Sequence, residues 1–271
     1  MKAFLKNQYD KLIHYLMVYP CNFEITDPGN PYKGKIDYPL MFSQYNNFVN
    51  TLINNGVKVQ FLDLINSPSQ VFSRDIGFVV GDILFISKMK SPERIHEPAA
   101  LIKFAEKYNI RTYHMQNHIE GGDVVLHDEV MFVGMSRRST LEACSEVQEV
   151  LNSNNIPVKV IPINFDNKKL HLDCVFNSID KDRCILSSYV YDTDIIKSHF
   201  KKVISLKDED ADVLASNFVC LGNNTIVTSN KTTAKLLFEE GVNAIYSDYS
   251  EVIKAGGSFT CSTLPILREH N

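Results

Sequence analysis

Reactive side chains are concentrated in five short polar segments of the sequence, each beside a predicted strand boundary. Together they offer a thiol, an imidazole, several carboxylates and two spaced arginines. A thiolate that attacks an electrophilic carbon while an imidazole moves protons is a common basis of covalent catalysis. The five segments are Phe72-Ser-Arg-Asp75, Ile119-Glu-Gly-Gly-Asp123, Ser136-Arg-Arg-Ser-Thr140, His171-Leu-Asp-Cys-Val-Phe176 and Gly256-Gly-Ser-Phe-Thr-Cys261.

The charge of these segments indicates the kind of substrate. Glu120, Asp75 and Asp173 would repel an anionic group and attract a cation. A guanidinium is planar and carries five N–H donors in a fork that matches carboxylates. The residues alone therefore indicate a thiol enzyme that acts on a cationic, planar carbon centre.

Each segment also has a structural interpretation. A cysteine after a Gly-Gly turn, such as Cys261, is by itself more often a small buried residue. His171 alternates with Asp173 on a predicted strand, which is compatible with a core histidine or with half of a metal site. The metal alternative is weaker, because no HxxxH, HExxH or CxxC motif supplies further ligands. Asp75 after Arg74 could be a local ion pair of little energetic weight.

An internal repeat indicates how the segments are positioned. Predicted β-hairpins start at residues 78, 124, 175 and 218, separated by 46, 51 and 43 residues. Each hairpin combines β-branched and aromatic residues with a Gly, Asp or Asn turn. A helix and a short strand follow each hairpin. The predicted helices are 97–108, 139–152, 193–200 and 232–240, and the predicted strands are 110–115, 158–163, 203–206 and 244–246.

The remaining parts of the chain complete the pattern. Residues 12–19, 39–55 and 57–64 predict a strand, a helix and a strand, and residues 259–267 could close a ring with the first strand. We therefore predict five ββαβ modules in a circle, a five-fold pseudosymmetric α/β propeller forming one domain over 1–271. A doubly wound sheet is the alternative. The tight hairpins and the missing GxGxxG motif argue against it. In such a ring, equivalent module ends converge on one axis.

Composition excludes several classes of protein. The chain has 271 residues, 44% of them hydrophobic and 22% charged, with a net charge of −4. These values are typical of a globular protein, and without a basic block we expect neither a nucleic acid nor a membrane as partner. The six cysteines form no CxxC pair, and the N-terminal residues do not resemble a signal peptide. We therefore expect free thiols and a cytoplasmic location.

Taken in order, the five segments resemble the motifs of the guanidine-modifying (pentein) superfamily. This superfamily includes arginine deiminases, dimethylarginine dimethylaminohydrolases and amidinotransferases. The first segment resembles F-T-R-D, the second is EGGD, and the third resembles an arginine-bearing turn. The fourth is HLD, and the fifth has the form GG…C. The resemblance runs from about residue 72 to residue 269, and five motifs in order are far more specific than one.

The resemblance implies a role for each matching residue. Cys261 would be the nucleophile, and His171 would be the general acid and base, oriented by Glu120. Asp75 and Asp173 would hold the guanidinium nitrogens from two sides. The remaining substrate contacts implied by the resemblance are Phe72 against the guanidinium plane and Arg94 and Arg138 at the substrate carboxylate.

The resemblance also implies the reaction. A thiouronium adduct on the cysteine would be hydrolysed to a ureido product plus ammonia or an alkylamine, with no metal and no organic cofactor. The HLD motif resembles arginine deiminases, whereas the short chain resembles dimethylargininases, which tend to carry HLK. An amidinotransferase, a dimethylargininase, a citrulline hydrolase and a catalytically silent binding module remain as alternatives. The expected partner is a small guanidino compound, and a homo-oligomer is left open.

Overall fold

Five three-stranded sheets form the framework of the protein. The computed structural model describes residues 1–270. In every sheet the middle strand pairs antiparallel with one neighbour and parallel with the other. A parallel pair requires a crossover, and a helix supplies it in each module. The predicted ring of ββαβ modules is therefore confirmed.

The strands are β1 Lys11–Met17, β2 Lys58–Phe61, β3 Gly77–Val80, β4 Ile83–Ile86, β5 Thr112–His114, β6 Val124–His127, β7 Val130–Gly134, β8 Lys159–Ile163, β9 Phe176–Ser178, β10 Arg183–Ser187, β11 Lys202–Leu206, β12 Val219–Gly222, β13 Thr225–Thr228, β14 Asn243–Tyr246 and β15 Leu264–Glu269. The helices are α1 Tyr38–Asn54, α2 Pro98–Lys107, α3 Leu141–Ser153, α4 Thr193–Lys197, α5 Asp208–Asp212, α6 Lys231–Glu239 and α7 Ser250–Ile253.

The two ends of the chain meet in one sheet, as predicted. Strand β15 pairs antiparallel with β1, with Lys11 opposite Glu269 and Leu16 opposite Leu264. Strand β1 in turn pairs parallel with β2. The closing strand begins at Leu264, later than the expected 259, because residues 258–263 form a turn in which the Ser262 N–H donates to the Ser258 carbonyl at 3.0 Å. That turn contains the candidate nucleophile.

Local signals explain where the longer helices begin. The Asp37 side chain caps α1 by accepting from the Leu40 N–H, and Thr140 caps α3 by accepting from the Ala143 N–H. Such caps satisfy backbone donors that have no partner within the helix. Helix α4 ends at Lys197 rather than at residue 200, and the short helices α5 and α7 were not predicted. One or two helical turns leave too little periodicity to detect in a sequence.

Polar side chains join adjacent modules near the axis of the ring. The Arg74 side chain donates from Nε to the Gly121 carbonyl at 3.0 Å and from Nη2 to the Val124 carbonyl at 2.7 Å. The two modules approach so closely that a Cβ on Gly121 would lie 2.2 Å from the Arg74 carbonyl oxygen. Only glycine fits this position, which places the second polar segment directly against the first.

Two further features bear on function. A cavity with a volume of about 740 Å³ lies near the β3–β4 and β6–β7 hairpin turns, where Asp82 and Asp128 line it. It is therefore at the opposite end of the modules from the polar segments. Within residues 1–270, no helix has both the length and the apolar character needed to cross a bilayer.

Candidate active site

Equivalent turns in successive modules carry the candidate residues. Short 3-10 turns at Ser73–Ile76, Gly121–Asp123 and Leu172–Cys174 lie at or next to the start of β3, β6 and β9. Neighbouring turns contact one another. The Cys261 carbonyl accepts from the Arg74 N–H at 3.0 Å, which fixes the C-terminal turn beside the first of them. The repeat therefore brings together segments that are distant in sequence.

His171 lies between two carboxylates. Its Nε2 is 3.0 Å from a Glu120 carboxylate oxygen, and its Nδ1 is 3.7 Å from Asp75 Oδ1. Gly122 packs against the ring, because a Cβ there would lie 2.6 Å from Nδ1. The imidazole is thus held in one orientation, with the predicted partner Glu120 at one nitrogen.

The carboxylates determine the protonation of this histidine. Burial by itself would lower the pKa of His171, but the charges of Asp75, Asp123 and Glu120 outweigh burial and raise it well above its ordinary value. Burial opposes ionisation of Glu120 as well, yet the hydrogen bond and charge of His171 lower the pKa of Glu120 to about 2. The pair is therefore an imidazolium and a carboxylate at neutral pH.

One carboxylate oxygen of Asp75 accepts a hydrogen bond, and the other has no hydrogen-bond partner in the described part of the chain. Its Oδ2 accepts from Arg94 Nη1 at 2.6 Å. Its Oδ1 is buried and has no hydrogen-bond partner among residues 1–270. A buried carboxylate oxygen without a donor is energetically unfavourable, so this atom is suited to accept an N–H from a ligand.

Arg94 was expected to bind a substrate carboxylate, and its contacts in this structure are different. Its guanidinium is buried and donates to Asp75, to Glu97 Oε2 at 2.9 and 2.8 Å, and to the Phe72 carbonyl at 3.2 Å. Glu97 is held in turn by the Ser67 hydroxyl at 2.5 Å. Four of the five N–H donors are therefore committed to the protein, and the visible effect of Arg94 is to fix Asp75.

Cys261 contacts two polar side chains. Asn217 Nδ2 donates to its sulfur at 3.2 Å, and the side-chain oxygen Oδ1 of Asn217 accepts from the Cys261 N–H at 3.3 Å. The sulfur also lies 3.9 Å from Asp173 Oδ2. An amide that donates to sulfur stabilises the thiolate form, because a hydrogen bond to an ionised acceptor is stronger than one to a neutral acceptor.

Asp173 lies between two thiols. Its Oδ1 accepts from the Cys174 sulfur at 3.5 Å, and the Cys174 thiol is also a neighbour of Cys261. Burial raises the pKa of Asp173 to about 6, although the His171 charge opposes the increase. The pKa of Cys174 is raised well above its ordinary value by a hydrogen bond with Cys261 and by burial. Cys174 is therefore a neutral thiol and not a competing nucleophile.

The other two predicted residues border the cluster. Phe72 packs against Gly257, where a Cβ would lie 2.4 Å from the phenylalanine ring. Arg138 Nη1 lies 3.3 Å from Glu120 Oε1, and its side chain is 25% exposed. All eight residues predicted from the sequence therefore lie in one region. The eight are Phe72, Asp75, Arg94, Glu120, Arg138, His171, Asp173 and Cys261.

Asp123 links three of these segments, a role that the sequence did not reveal. Its Oδ1 accepts from the Leu172 N–H at 3.1 Å, next to the histidine. Its Oδ2 accepts from the hydroxyls of Ser136 and Ser139 at 2.5 and 2.6 Å, within the turn that carries Arg138. Burial raises the pKa of Asp123 to about 7.

Asn217 was also missed by the sequence analysis. It lies two residues before β12, the same offset that separates Asp75 from β3. An alignment of the modules could therefore have identified it. Asn217 was overlooked because Ser216-Asn217 is not a conspicuous polar cluster.

The cluster includes atoms that could bind a metal ion. One ligand atom from each of Asp75, Glu120 and His171 lies within 4.8 Å of the others. Metal binding requires a neutral imidazole, whereas the surrounding acids favour the imidazolium. The donor set is therefore better matched to holding a proton than to holding a metal.

The fold and the site together define a member of the pentein superfamily. The model of the family described as N,N dimethylarginine dimethylhydrolase, eukaryotic, matches residues 33–268, so the chain belongs to this family. An uncharacterized protein of Bacillus subtilis, YkgA, is 31% identical over 98% of this chain and 96% of its own length.

More distant relatives have named activities. An N(G),N(G)-dimethylarginine dimethylaminohydrolase of Mycobacterium tuberculosis is 24% identical over 93% of this chain and 85% of its own. An arginine deiminase of Limosilactobacillus fermentum is 28% identical over 74% of this chain and 62% of its own. Among solved structures, the N-terminal domain of the cyanobacterial arginine dihydrolase ArgZ aligns with a TM-score of 0.84, at 21% identity over 94% of this chain and 98% of its own. At 21% identity, this similarity shows a shared fold and nothing about activity.

We predict that His171 keeps its proton well above the pH at which an ordinary histidine becomes neutral. Because its folded-state pKa is raised, its ion pairs stabilise the protein fully below about pH 6.5, and this stability is lost as pH rises through the raised pKa. NMR titration of the imidazole tests this. Glu120→Gln should lower the pKa of His171, whereas Glu146→Gln, at a remote acid, should leave it unchanged. An ordinary histidine pKa for His171 in the unaltered protein would contradict its assignment as a buried imidazolium.

We also predict that Asn217→Ala slows alkylation of Cys261 by iodoacetamide at neutral pH. Loss of a hydrogen bond to a charged group corresponds to roughly a ten- to hundredfold effect. Mass spectrometry can measure the rate against exposed Cys21 in the same molecule, which provides an internal control. Asn243→Ala, on an outer strand, is the matched variant and should leave the ratio of the two rates unchanged. If the ratio of the Cys261 rate to the Cys21 rate were unaltered in Asn217→Ala, the Asn217 amide would not activate the sulfur.

Proposed function

We propose that this protein hydrolyses a guanidino compound through a covalent adduct on Cys261. One observation carries the proposal. The Cys261 sulfur lies against Asp173, which is close enough to His171 and Asp75 to be affected by their charges, and an oxygen of Asp75 has no hydrogen-bond partner in the described chain. This cluster would offer a small planar cation a nucleophile, a proton donor and two carboxylates. The relatives named as arginine deiminase and dimethylarginine dimethylaminohydrolase support the same class of reaction.

Substrate binding is the first step of the proposed mechanism. Asp75 and Asp173 accept N–H donors from opposite sides of the guanidinium, and Phe72 covers its plane. Arg94 acts here as a positioning residue that fixes Asp75. Arg138, at the accessible edge of the cluster, binds the substrate carboxylate. Charge-assisted hydrogen bonds in a buried site give orientation as well as affinity.

Adduct formation follows. The Cys261 thiolate donates an electron pair to the guanidinium carbon, and a tetrahedral species forms. His171, an imidazolium because of its acidic neighbours, protonates the leaving nitrogen as the C–N bond breaks. A thiouronium remains on the sulfur, and ammonia or an alkylamine departs. Glu120 keeps the imidazole in position during this proton transfer.

Hydrolysis completes the reaction. His171, now neutral, removes a proton from water as the water oxygen attacks the thiouronium carbon. The C–S bond then breaks, the electron pair returns to Cys261, the hydroxyl proton passes to solvent and converts the released ammonia or alkylamine to its ammonium form, and a neutral ureido product leaves. One guanidinium and one water are consumed, and one ureido compound and one ammonium are formed.

The choice of substrate rests on Asp173. A second carboxylate beside the sulfur favours a guanidine whose terminal nitrogens are unsubstituted, as in arginine. A dimethylated nitrogen has no N–H to donate, so a dimethylarginine would leave Asp173 buried without a partner. We therefore place arginine-type deimination first and dimethylarginine hydrolysis second, the latter because the family model that matches the chain is named for it.

Amidino transfer is the second candidate function. It would use the same thiouronium but pass the carbon to an amine instead of water. The fold of an amidinotransferase, SxtG of Microseira wollei, aligns with a TM-score of 0.83 at 15% identity. A product assay with and without an amine acceptor distinguishes the two reactions.

A substrate panel tests the proposal directly. We expect the purified protein to release ammonia or an alkylamine and a ureido product from at least one of arginine, the methylarginines and agmatine, without an amine acceptor. Citrulline and guanidine complete the panel. Cys261→Ser should abolish turnover, because the reaction requires the thiolate. Cys21→Ser, at an exposed cysteine, is the control and should remain active. Full activity of Cys261→Ser would exclude the covalent mechanism.

A second prediction concerns selectivity. Asp173→Asn preserves shape but removes the charge beside the sulfur. We expect kcat/KM for unsubstituted guanidines to fall roughly ten- to hundredfold, since a charged hydrogen bond is lost. Dimethylated substrates should lose less, so the ratio of the two specificity constants should change. Asp212→Asn, at an exposed acid, is the control. An unchanged ratio would show that Asp173 does not contact the substrate.

A further inference from the structure

A small cavity lies between the strands near the axis of the ring, and it is distinct from the catalytic cluster. Its volume is about 20 Å³, and its walls come from β1, β9, β12 and β15 and from neighbouring turns. Neither Cys261 nor His171 lines it. The polar side chains that line the cavity include Tyr15, Arg74, Asn177 and Arg268.

Two guanidinium groups share this cavity. Arg74 and Arg268 are each only 4% exposed. Arg74 donates to the carbonyls of Gly121 and Val124, and Arg268 donates to the carbonyls of Asp10 and Cys220. Within residues 1–270, neither forms a salt bridge. Guanidinium groups stay ionised in proteins, so within this range two positive charges are buried without a carboxylate bonded to either of them, and the charges of Asp173 and Asp75 reach Arg74 only from the catalytic side.

The cavity also contains an unused donor. Arg268 Nε is buried and has no hydrogen-bond partner among the described residues. Burial lowers the pKa of Arg74, and the nearby Arg268 charge lowers it further, although Asp173 and Asp75 oppose the change from the catalytic side. Both the charge and the free N–H therefore favour an acceptor that carries negative charge.

The size of the cavity limits what can fill it. A volume of about 20 Å³ holds one small particle, since a single water needs roughly 10–15 Å³ by the same measure. Phosphate, sulfate and carboxylates are polyatomic and larger. Water fits but brings no charge to offset the two arginines, whereas a halide ion does.

We propose that this axial cavity binds one chloride ion between Arg74 and Arg268. The ion would accept from Arg268 Nε and neutralise part of the charge that the ring buries. Because the two arginines also bond to the carbonyls of other modules, the ion would stabilise the closed ring. The inference does not depend on the proposed reaction, and its test needs no activity assay.

Bromide provides a direct probe, because it replaces chloride and scatters anomalously. In crystals of the full chain grown or soaked in sodium bromide, we expect an anomalous peak between the guanidinium groups of Arg74 and Arg268. Density of a light atom at that position, without an anomalous peak, would identify water and overturn the proposal. This measurement needs no variant.

Thermal unfolding gives a second, independent test. A ligand that binds only the native state raises the Tm in a saturable manner. We expect sodium chloride to raise the Tm at concentrations where sodium gluconate at equal ionic strength does not. Arg268→Gln should lose the chloride-specific increment, and Arg111→Gln, at an exposed arginine paired with Asp82, should retain it. Equal Tm values in both salts, or an unchanged increment in a folded Arg268→Gln protein, would refute the site.

Discussion

A buried imidazolium between two carboxylates is the interaction on which the candidate site depends. His171 is 1% exposed, with Glu120 at one nitrogen and Asp75 near the other. Removing three charges from water is expensive, and their attraction offsets that cost only when the remaining hydrogen bonds are also satisfied. Arg94 and Arg138 provide those hydrogen bonds, one for each carboxylate. The central charge cluster therefore depends on the hydrogen bonds of the polar side chains around it.

The repeat explains how one chain assembles this cluster. Each module places a tight turn just before its innermost strand, and these turns converge at one end of the ring. Modules contribute different chemistry at equivalent positions: carboxylates, an imidazole and an amide that holds the sulfur. Close approach requires small residues, and Gly121 and Gly122 occupy positions where any Cβ would collide with the neighbouring module.

Much of this arrangement was predictable, and the reasons are physical. Hairpins with β-branched strands and tight turns are local signals, so the strands and the ring closure could be predicted from the sequence. Seven of the eight site residues came from motifs at those strand boundaries, and Arg94 came only from the resemblance to the family. The contacts of Arg94 could not be predicted, because a buried arginine binds whichever acids the fold places beside it, here Asp75 and Glu97. Asn217 likewise becomes significant only when the turn of Cys261 packs against it.

Closure of the ring by β15 has a consequence for biosynthesis. Lys11 and Glu269 pair across a separation of 258 residues, so β1 has no antiparallel partner until synthesis has reached β15. Until then an apolar strand edge is open to wrong pairing, and chains of such long-range topology fold slowly. Cys261 lies shortly before β15, so the nascent polypeptide acquires its reactive sulfur only as the ring closes. Reactivity would thus be tied to closure of the ring.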